Sequence, residues 1–379
     1  MKKNLCIPNF PNFLGLLIIT LLAALVGCAH TPTEPQKGAE ARPVTPPAQT
    51  EAELHISAVG DIMLGGTAGP ELKTLGYDYP FVYMRDYFQG SQVVFGNLEG
   101  PLTDRGTPDT DKKYVFRSPP NKVVPALKAA GFTIVSLANN HTMDYGAEGL
   151  AQTMDALDAA GIYHVGAGQN LAAARQPALL KIQGHTVAFL AYSVTLPESF
   201  YAQENKPGTA FAYEEQVRAD VAQARTQADV VLVSFHWGQE GSTALRDYQP
   251  HLAHIAIDAG ASAVIGHHPH ILQGIERYKH GVILYSLGNF VFGSYSKAAV
   301  NSVIAQLVFR KTSDHNATWE LSSLALIPID VNNVELDFQP KPLVGVRADA
   351  VISELMKLSQ PLATLIKNKN GIGVINFSL

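Results

Sequence analysis

The chain has 379 residues, of which 46% are hydrophobic and 16% charged, and its formal net charge is −5 at pH 7. This composition excludes disorder, collagen and coiled coil for the chain as a whole, and the length suits one large domain or two smaller ones. The small acidic excess excludes a general polyanion-binding surface, so we expect no nucleic-acid partner. The 2 cysteines cannot form a disulfide framework.

The first 27 residues have the pattern of a bacterial export signal. Two lysines precede an apolar run at 13–26, which is shorter than the roughly 20 residues that a helix needs to span a bilayer. The run ends in Leu-Val-Gly-Cys, which resembles the lipobox of bacterial lipoproteins. We therefore expect a signal peptide at 1–27 and lipidation of Cys28, with a tilted membrane anchor as the alternative.

Lipidation of Cys28 would make the membrane a partner and place the protein in the bacterial cell envelope. Ala29 follows the cysteine where an aspartate would retain a lipoprotein in the inner membrane. By this resemblance we expect the outer membrane, facing the periplasm, if the cell is Gram-negative. Residues 28–53 are rich in proline and contain no aromatic side chain, which predicts a disordered tether.

From Leu54 onward, short β-rich runs alternate with helical patterns. Buried strands are predicted at 54–59, 91–95, 132–137, 187–192, 230–235, 263–265 and 282–285. Helices are predicted around 121–130, 147–160, 214–227 and 245–259, followed by further strands within 301–339 and a terminal helix at 349–367. This alternation predicts an α/β domain with some parallel sheet, and the number of strands is consistent with two packed sheets.

Polar residues follow five of these strands. The five segments are GDIM at 60–63, GNLEG at 96–100, ANNHTMD at 138–144, HWGQE at 236–240 and GHHPH at 266–270. Each alone is a weak signal, because an Asp or Asn after a strand is usually a cap or a turn former. Together they place carboxylate, amide and imidazole groups beyond the strand ends, where α/β sheets carry their sites. Such donors suit Mn, Fe, Zn or Mg.

The order GD…GNLEG…NNHxxD…HWGQE…GHHPH…SLGNF resembles the CapA-type proteins of poly-γ-glutamate capsule synthesis, over roughly residues 54–293. That family is similar to the calcineurin-like metallophosphoesterases. The resemblance implies an α/β fold, a two-sheet αββα sandwich with a C-terminal β/α extension. We expect the CapA-like domain at 54–310 and its completing strands and helix at 311–379. It also implies two divalent metal ions at one edge.

The resemblance further implies a role for each residue of the motifs. The metal ligands are Asp61, Glu99, Asn140, His236, His268 and His270, with Glu99 in the bridging position. His141 is the catalytic imidazole that assists the leaving group, and Asp144 orients its ring. His267 replaces His268 as a ligand if the register slips by one residue. Ser286 and Asn289 lie on the SLGNF loop, which we expect to line the same cleft in a structural or a functional role.

Two departures from the phosphoesterase pattern bear on activity. The usual opening is Asp-x-His, whereas Met63 stands in the place of that histidine. Glu99 stands where an aspartate is usual, and its carboxylate lies one methylene group farther from the backbone than that of an aspartate. The site would then hold two metals weakly, hold one, or keep the geometry without hydrolysis. The motifs therefore predict metal binding better than turnover.

Two functions from different classes remain open. The first is a metal-dependent hydrolase that uses water activated by two metals on a phosphoester or on a polymer bond. The second is a non-catalytic accessory that binds an anionic polymer during export, with capsule synthase subunits as partners. A solute-binding lipoprotein ranks last because it leaves the histidines unexplained. The basic residues Lys112, Lys113 and Arg117 predict a solvated loop, with contact with an anionic substrate as the alternative.

Overall fold

A computed structural model describes residues 53–312 and 318–377. The predicted signal peptide, the lipidated Cys28 and the tether lie outside these residues, apart from Glu53, which is the first residue of a strand. Within the described ranges no helix has the length and apolar character needed to cross a membrane.

The elements alternate as the sequence predicts. The strands are β1 (Glu53–Met63), β2 (Val93–Leu98), β3 (Ile134–Ser136), β4 (Tyr163–Val165), β5 (Ala167–Gly168), β6 (Ala178–Ile182), β7 (His185–Ser193), β8 (Gly208–Thr209), β9 (Val230–His236), β10 (Ala263–His267), β11 (Ile275–Tyr278), β12 (Gly281–Leu284), β13 (Asn289–Phe292), β14 (Asn301–Lys311), β15 (Trp319–Asp330), β16 (Lys341–Pro342), β17 (Lys367–Lys369) and β18 (Ile372–Asn376). The helices are α1 (Ala68–Leu75), α2 (Arg85–Phe88), α3 (Pro120–Ala130), α4 (Gly146–Ala159), α5 (Leu171–Ala174), α6 (Glu214–Arg225), α7 (Tyr248–Asp258), α8 (Asn333–Leu336) and α9 (Gly345–Ser359).

Two large sheets organise the described residues. The first has 10 strands in the order β17-β18-β15-β14-β1-β2-β3-β4, with β13 beside β1 and β16 beside β15. The second has 6 strands in the order β11-β12-β10-β9-β7-β6. In the first sheet β1, β2, β3 and β4 run parallel to one another and form the half that ends at the β4 edge. In the second sheet the four central strands β7, β9, β10 and β12 are parallel.

The main core lies between the two sheets. Ile56 and Ala58 of β1 point into it, as the two-residue period of a strand requires, and meet residues such as Leu232 of the second sheet. Phe95 of β2 stacks on Phe189 of β7 with ring centroids 5.3 Å apart. These contacts hold the sheets face to face and thereby bring their edges together.

Helices cover the outer face of each sheet. Val94 and Val135 of the first sheet pack in one cluster with Leu127 of α3 and Leu150 of α4. The second sheet packs in another cluster with α6 and α7. The predicted two-sheet αββα sandwich is therefore confirmed.

The predicted C-terminal helix at 349–367 is wrong at both ends. Helix α9 begins at Gly345 and ends at Ser359. Pro361 then lies in a short 3₁₀ turn, and a proline in a helix interior removes a hydrogen bond and clashes with the preceding turn. The chain continues into β17 and β18, which extend the first sheet beyond β15.

Strand register aligns the polar segments along one edge. In the first sheet Asp61 pairs with Asn97 of β2 and with Asn289 of β13. In the second sheet His236 at the end of β9 pairs with His267 at the end of β10. Because parallel strands end at the same edge, these residues converge there.

Candidate metal centre

A buried amide network fixes the half of the centre that the first sheet supplies. Asp61 is fully buried at the end of β1, and Asn97 donates from Nδ2 to its Oδ1 at 2.9 Å. Asn139 in turn donates to Asn97 Oδ1 at 3.1 Å and to the Leu98 carbonyl at 2.8 Å. Asn139 also accepts the backbone N–H of His141 at 3.1 Å, which shapes the turn after β3. Sequence reasoning assigned no role to Asn97 or Asn139, although both lie in the motifs.

His236 brings the second sheet into contact with this network. Its Nδ1 lies 3.3 Å from Asn97 Nδ2, and its Nε2 lies 2.8 Å from Asn140 Oδ1. Nδ1 of His268 is 3.1 Å from the same Nε2. The amide of Asn140 and two imidazoles therefore meet at one point.

The GHHPH segment turns sharply so that its rings face the centre. His268 and His270 have positive φ angles of 95° and 60°, which cost free energy in residues other than glycine and are concentrated at functional sites. The backbone N–H of His268 donates to Asp61 Oδ2 at 3.3 Å. His270 Nδ1 lies 3.2 Å from Asp61 Oδ2 and 2.9 Å from Asn289 Oδ1. Asn289 therefore orients His270, whereas Ser286 donates to the Ile271 carbonyl at 2.7 Å.

Two groups of donors meet at Glu99. One consists of Glu99, His268 and His270 and the other of Asp61, Glu99 and His236, and within each group the donor atoms lie within 4.8 Å of one another. Oε1 of Glu99 is buried and has no hydrogen-bond partner among the described residues. A buried carboxylate oxygen without a partner is costly. The donor set therefore fits divalent cations that share this carboxylate.

His267 takes no part in either donor group. It is fully buried, with Nδ1 3.2 Å from Asp61 Oδ1. Met63, which stands where the phosphoesterase pattern has a histidine, is also buried, two residues after Asp61. The structure therefore brings together the six residues predicted as ligands and leaves His267 beside them.

Burial gives two of the imidazoles the protonation state that a metal needs. It lowers the pKa of His268 to about 3 and holds the pKa of His236 well below the ordinary value, in both cases with help from neighbouring histidines. Both rings are therefore neutral near pH 7 and keep a lone pair for a cation.

Burial and neighbouring charges shift the pKa values of the two carboxylates and of His270. Burial would raise the pKa of Asp61, but its close contacts with His267 and His270 hold it well below its usual range. Burial raises the pKa of Glu99 well above its usual range. Burial opposes the charged form of His270, yet the Glu99 and Asp61 carboxylates raise its pKa to about 9.

His141 and Asp144 form a pair beside the donors. His141 Nδ1 lies 2.7 Å from Asp144 Oδ2, which also accepts the backbone N–H of Phe116 at 2.7 Å. The Phe116 ring packs on the imidazole with centroids 4.6 Å apart. Burial lowers the pKa of His141, although Asp144 acts in the opposite direction. Since Nδ1 faces Asp144, Nε2 is the ring nitrogen left for the cleft.

The prediction of a solvated basic loop is wrong for Lys112. Its side chain is only 15% exposed, and Nζ donates to Asp144 Oδ1 at 2.5 Å and to the Asn140 carbonyl. Lys113 is exposed and lies over the Tyr114 ring, as the prediction requires. No pattern in the sequence distinguishes the two neighbouring lysines.

A cleft of about 550 Å³ opens beside the donors. His141 and His270 form part of its wall, with Asn289, Glu240 and Phe292 among the other lining residues. Its size suits a small ligand or one segment of a polymer. An α/β sandwich with a candidate two-metal centre and an adjacent cleft is the class of protein that fold and site define.

Similar proteins identify the family of this chain. The sequence-family model described as "bacterial capsule synthesis protein PGA_cap" matches residues 55–294. The capsule biosynthesis protein CapA of Bacillus anthracis is 34% identical over 77% of this chain and 70% of that protein. The PGA biosynthesis protein CapA of Bacillus subtilis is 34% identical over 83% of this chain and 81% of that protein. The chain belongs to the CapA-type capsule synthesis family.

Solved structures show a more distant likeness. The NAD nucleotidase of Haemophilus influenzae aligns with a TM-score of 0.44 and 11% identity, over 80% of this chain and 62% of that chain. A likeness at this level carries no argument about activity.

Proposed function

We propose that the protein is a metal-dependent hydrolase of capsule or poly-γ-glutamate biosynthesis that cleaves a phosphoester or a polymer bond. The observation that carries this proposal is the buried Glu99 carboxylate, whose Oε1 has no hydrogen-bond partner among the described residues and which two donor groups share beside the His141–Asp144 pair. Membership of the CapA-type family supports the biological setting.

The donor groups indicate how the ions would be held. Asp61, Glu99 and His236 would bind one ion, and Glu99, His268 and His270 the other. Asn140 would add its amide oxygen, which lies next to His236 Nε2. Oxygen and imidazole donors suit Mn, Fe, Zn or Mg. When bound, two such ions supply Lewis acidity that activates water and offsets charge on the reacting group.

His141 is the residue proposed to move protons in this reaction. With Nδ1 tied to Asp144, its Nε2 delivers a proton to the departing oxygen as the bond from phosphorus to that oxygen breaks. The attacking water supplies the new oxygen on phosphorus and releases its own proton to the solvent. The ring then takes up a proton from the solvent and returns to its starting state. Asp144 acts as a positioning residue because it contacts the ring and not the substrate.

Turnover of an aryl phosphodiester by the full-length protein, purified without chelator and assayed in added Mn²⁺, tests the proposal. We expect turnover that is lost in Asn140→Ala and His236→Ala. His251→Ala is the matched control, because His251 is exposed and contacts Glu214 on the surface. Full activity in His236→Ala would refute the assignment.

A non-catalytic accessory role is the second candidate, and Met63 in place of a histidine favours it. A relative from Mycobacterium tuberculosis, 34% identical over 65% of this chain, bears the name "probable polyglutamine synthesis accessory protein". In this role the protein would bind an anionic polymer without cleaving it. Binding of poly-γ-glutamate that is unchanged in His141→Ala, without loss of polymer length, would favour this candidate over hydrolysis.

We also propose that lipidation of Cys28 attaches the protein to the cell envelope, where capsule synthase subunits would be its partners. The lipobox-like sequence before Cys28 and the capsule biosynthesis relatives support this location. In the native cell, Cys28→Ser should move the protein from the membrane fraction to the soluble fraction. An unchanged distribution would contradict lipid attachment at this cysteine.

A further inference from the structure

Lys112 makes contacts that the reaction proposed above does not use. It lies in the segment between β2 and α3, and its side chain is only 15% exposed. Its Nζ reaches Asp144 Oδ1 at 2.5 Å, lies 3.1 Å from His141 Nδ1 and donates to the Asn140 carbonyl. Removing a lysine ammonium from water is costly unless it is paired, so these contacts hold Lys112 in place.

The Asp144 carboxylate is fixed from two directions. Oδ2 accepts the backbone N–H of Phe116 at 2.7 Å and faces His141 Nδ1 at the same distance. Oδ1 accepts from Lys112. The Asp144 side chain has no exposed surface, so water does not replace a lost partner without rearrangement. The orientation of the carboxylate toward the imidazole therefore depends on Lys112.

We propose that Lys112 is a positioning residue for proton transfer by His141. It fixes Asp144, which fixes the ring, and it holds the backbone carbonyl of Asn140 immediately before the histidine. This inference rests on the proposed hydrolase function, because it assigns the ring a task in a reaction. Lys112 makes no hydrogen bond to a residue of either donor group, and strand register and the Asn97 network hold those groups.

Lys112→Met is the test variant, and Lys113→Met is its matched control. The two lysines are adjacent in sequence, but Lys113 is exposed and lies over Tyr114. If Lys112→Met does not fold, Lys112→Gln keeps a polar donor of smaller size. Lys112→Met and Lys113→Met should both retain the metal content of the wild-type protein, because neither lysine is in a donor group.

The leaving group separates proton transfer from a general structural defect. A p-nitrophenolate departs without a proton, whereas an alkoxide departs slowly unless it is protonated. In full-length protein with Mn²⁺, Lys112→Met should lower kcat on an alkyl phosphoester by about 100-fold, the lower end of the range for proton transfer. It should change kcat on the p-nitrophenyl ester by less than about threefold, because that leaving group needs no proton. KM should be unchanged, because proton transfer acts on the chemical step and not on substrate binding.

Further variants test whether Lys112 acts through His141. His141→Ala should show the same dependence on the leaving group, and the double variant should lose no more than His141→Ala alone. Lys112→Arg should recover part of the loss, and Lys113→Met should match the wild-type protein on both esters. Equal losses on both esters in Lys112→Met, or no loss, would overturn the inference.

A measurement on the metal-free protein does not depend on activity. The proton between His141 Nδ1 and Asp144 should give a slowly exchanging NMR signal, assigned by its absence in His141→Ala. We expect this signal in the wild type and in Lys113→Met and its loss in Lys112→Met. Persistence in Lys112→Met would overturn the inference. A wild-type protein that shows the signal, loses it in Lys112→Met and has no turnover would refute the hydrolase and leave the positioning role intact.

Discussion

The two sheets bring different chemistry to one edge of the molecule. The first sheet supplies oxygen donors, the carboxylates of Asp61 and Glu99, whereas the second supplies the imidazoles of His236, His268 and His270. Each donor group draws on both sheets. The candidate metal centre therefore depends on how the sheets pack, and a local loop does not create it.

The two halves are also held in different ways. In the first sheet, the side-chain amides of Asn97 and Asn139 tie the turns together. In the second sheet, His236 ends a strand and is held by its register, and the strained backbone at His268 and His270 aims those rings. Asn97 joins the halves because it contacts both Asp61 and His236.

The largest effect is expected where the halves meet, at Glu99. Glu99→Gln keeps the shape but removes the charge that both donor groups share. Aryl phosphodiester turnover should fall by at least about 100-fold, because even partners of metal ligands contribute 10–100-fold. Glu354→Gln, on the exposed face of α9, should leave turnover unchanged. Wild-type turnover in Glu99→Gln would contradict the role of this carboxylate as a ligand shared by both donor groups.

Removing one imidazole should affect one donor group more than the other. His236 belongs to the group with Asp61, whereas His268 belongs to the other. We expect His236→Ala to retain about one metal ion where the wild type retains about two, as the two-metal chemistry requires. Calorimetric titration with Mn²⁺ measures this stoichiometry. Loss of both ions would show that the two donor groups bind metal only together.

Asn97→Leu tests the amide that joins the halves. It keeps the approximate volume but removes the donor to Asp61 and the contact with His236. Metal affinity should fall by about 10- to 100-fold, the range for groups that orient ligands. Asn205→Leu, at an exposed position, is the control. Unchanged affinity in Asn97→Leu would mean that packing alone aligns the sheets.

The smallest expected effect is on thermal stability. A ligand that binds only the folded state at 100 times its Kd adds about 2.7 kcal/mol to the free energy of unfolding. Mn²⁺ at that concentration should therefore raise Tm by roughly 5 °C in a protein of this size. EDTA should reverse the rise, and Glu99→Gln should show none. An equal rise in Glu99→Gln would locate the metal elsewhere.

Much of this arrangement follows from the sequence, because apolar strands that end in polar residues predict a sheet edge rich in donors. The structure places Asp61, Glu99, Asn140 and the three histidines at that edge, and their binding of metal remains a prediction. The αββα sandwich is confirmed.

Other features depend on tertiary contacts that no local pattern encodes. The role of Asn97 follows from its register opposite Asp61, and the burial of Lys112 follows from the position of Asp144. An irregular segment has no periodicity to distinguish Lys112 from Lys113. Pro361, by contrast, was a signal in the sequence that the predicted terminal helix overlooked.

Metal content is the most direct test of a centre shared by the two sheets. The full-length protein is purified without chelator, and its bound metal is counted by elemental mass spectrometry beside Glu99→Gln. About two ions per chain in the wild type, with both lost in Glu99→Gln, is the predicted result. A wild type that retains no metal, even after incubation with Mn²⁺, or a Glu99→Gln variant that retains the full complement, would contradict it.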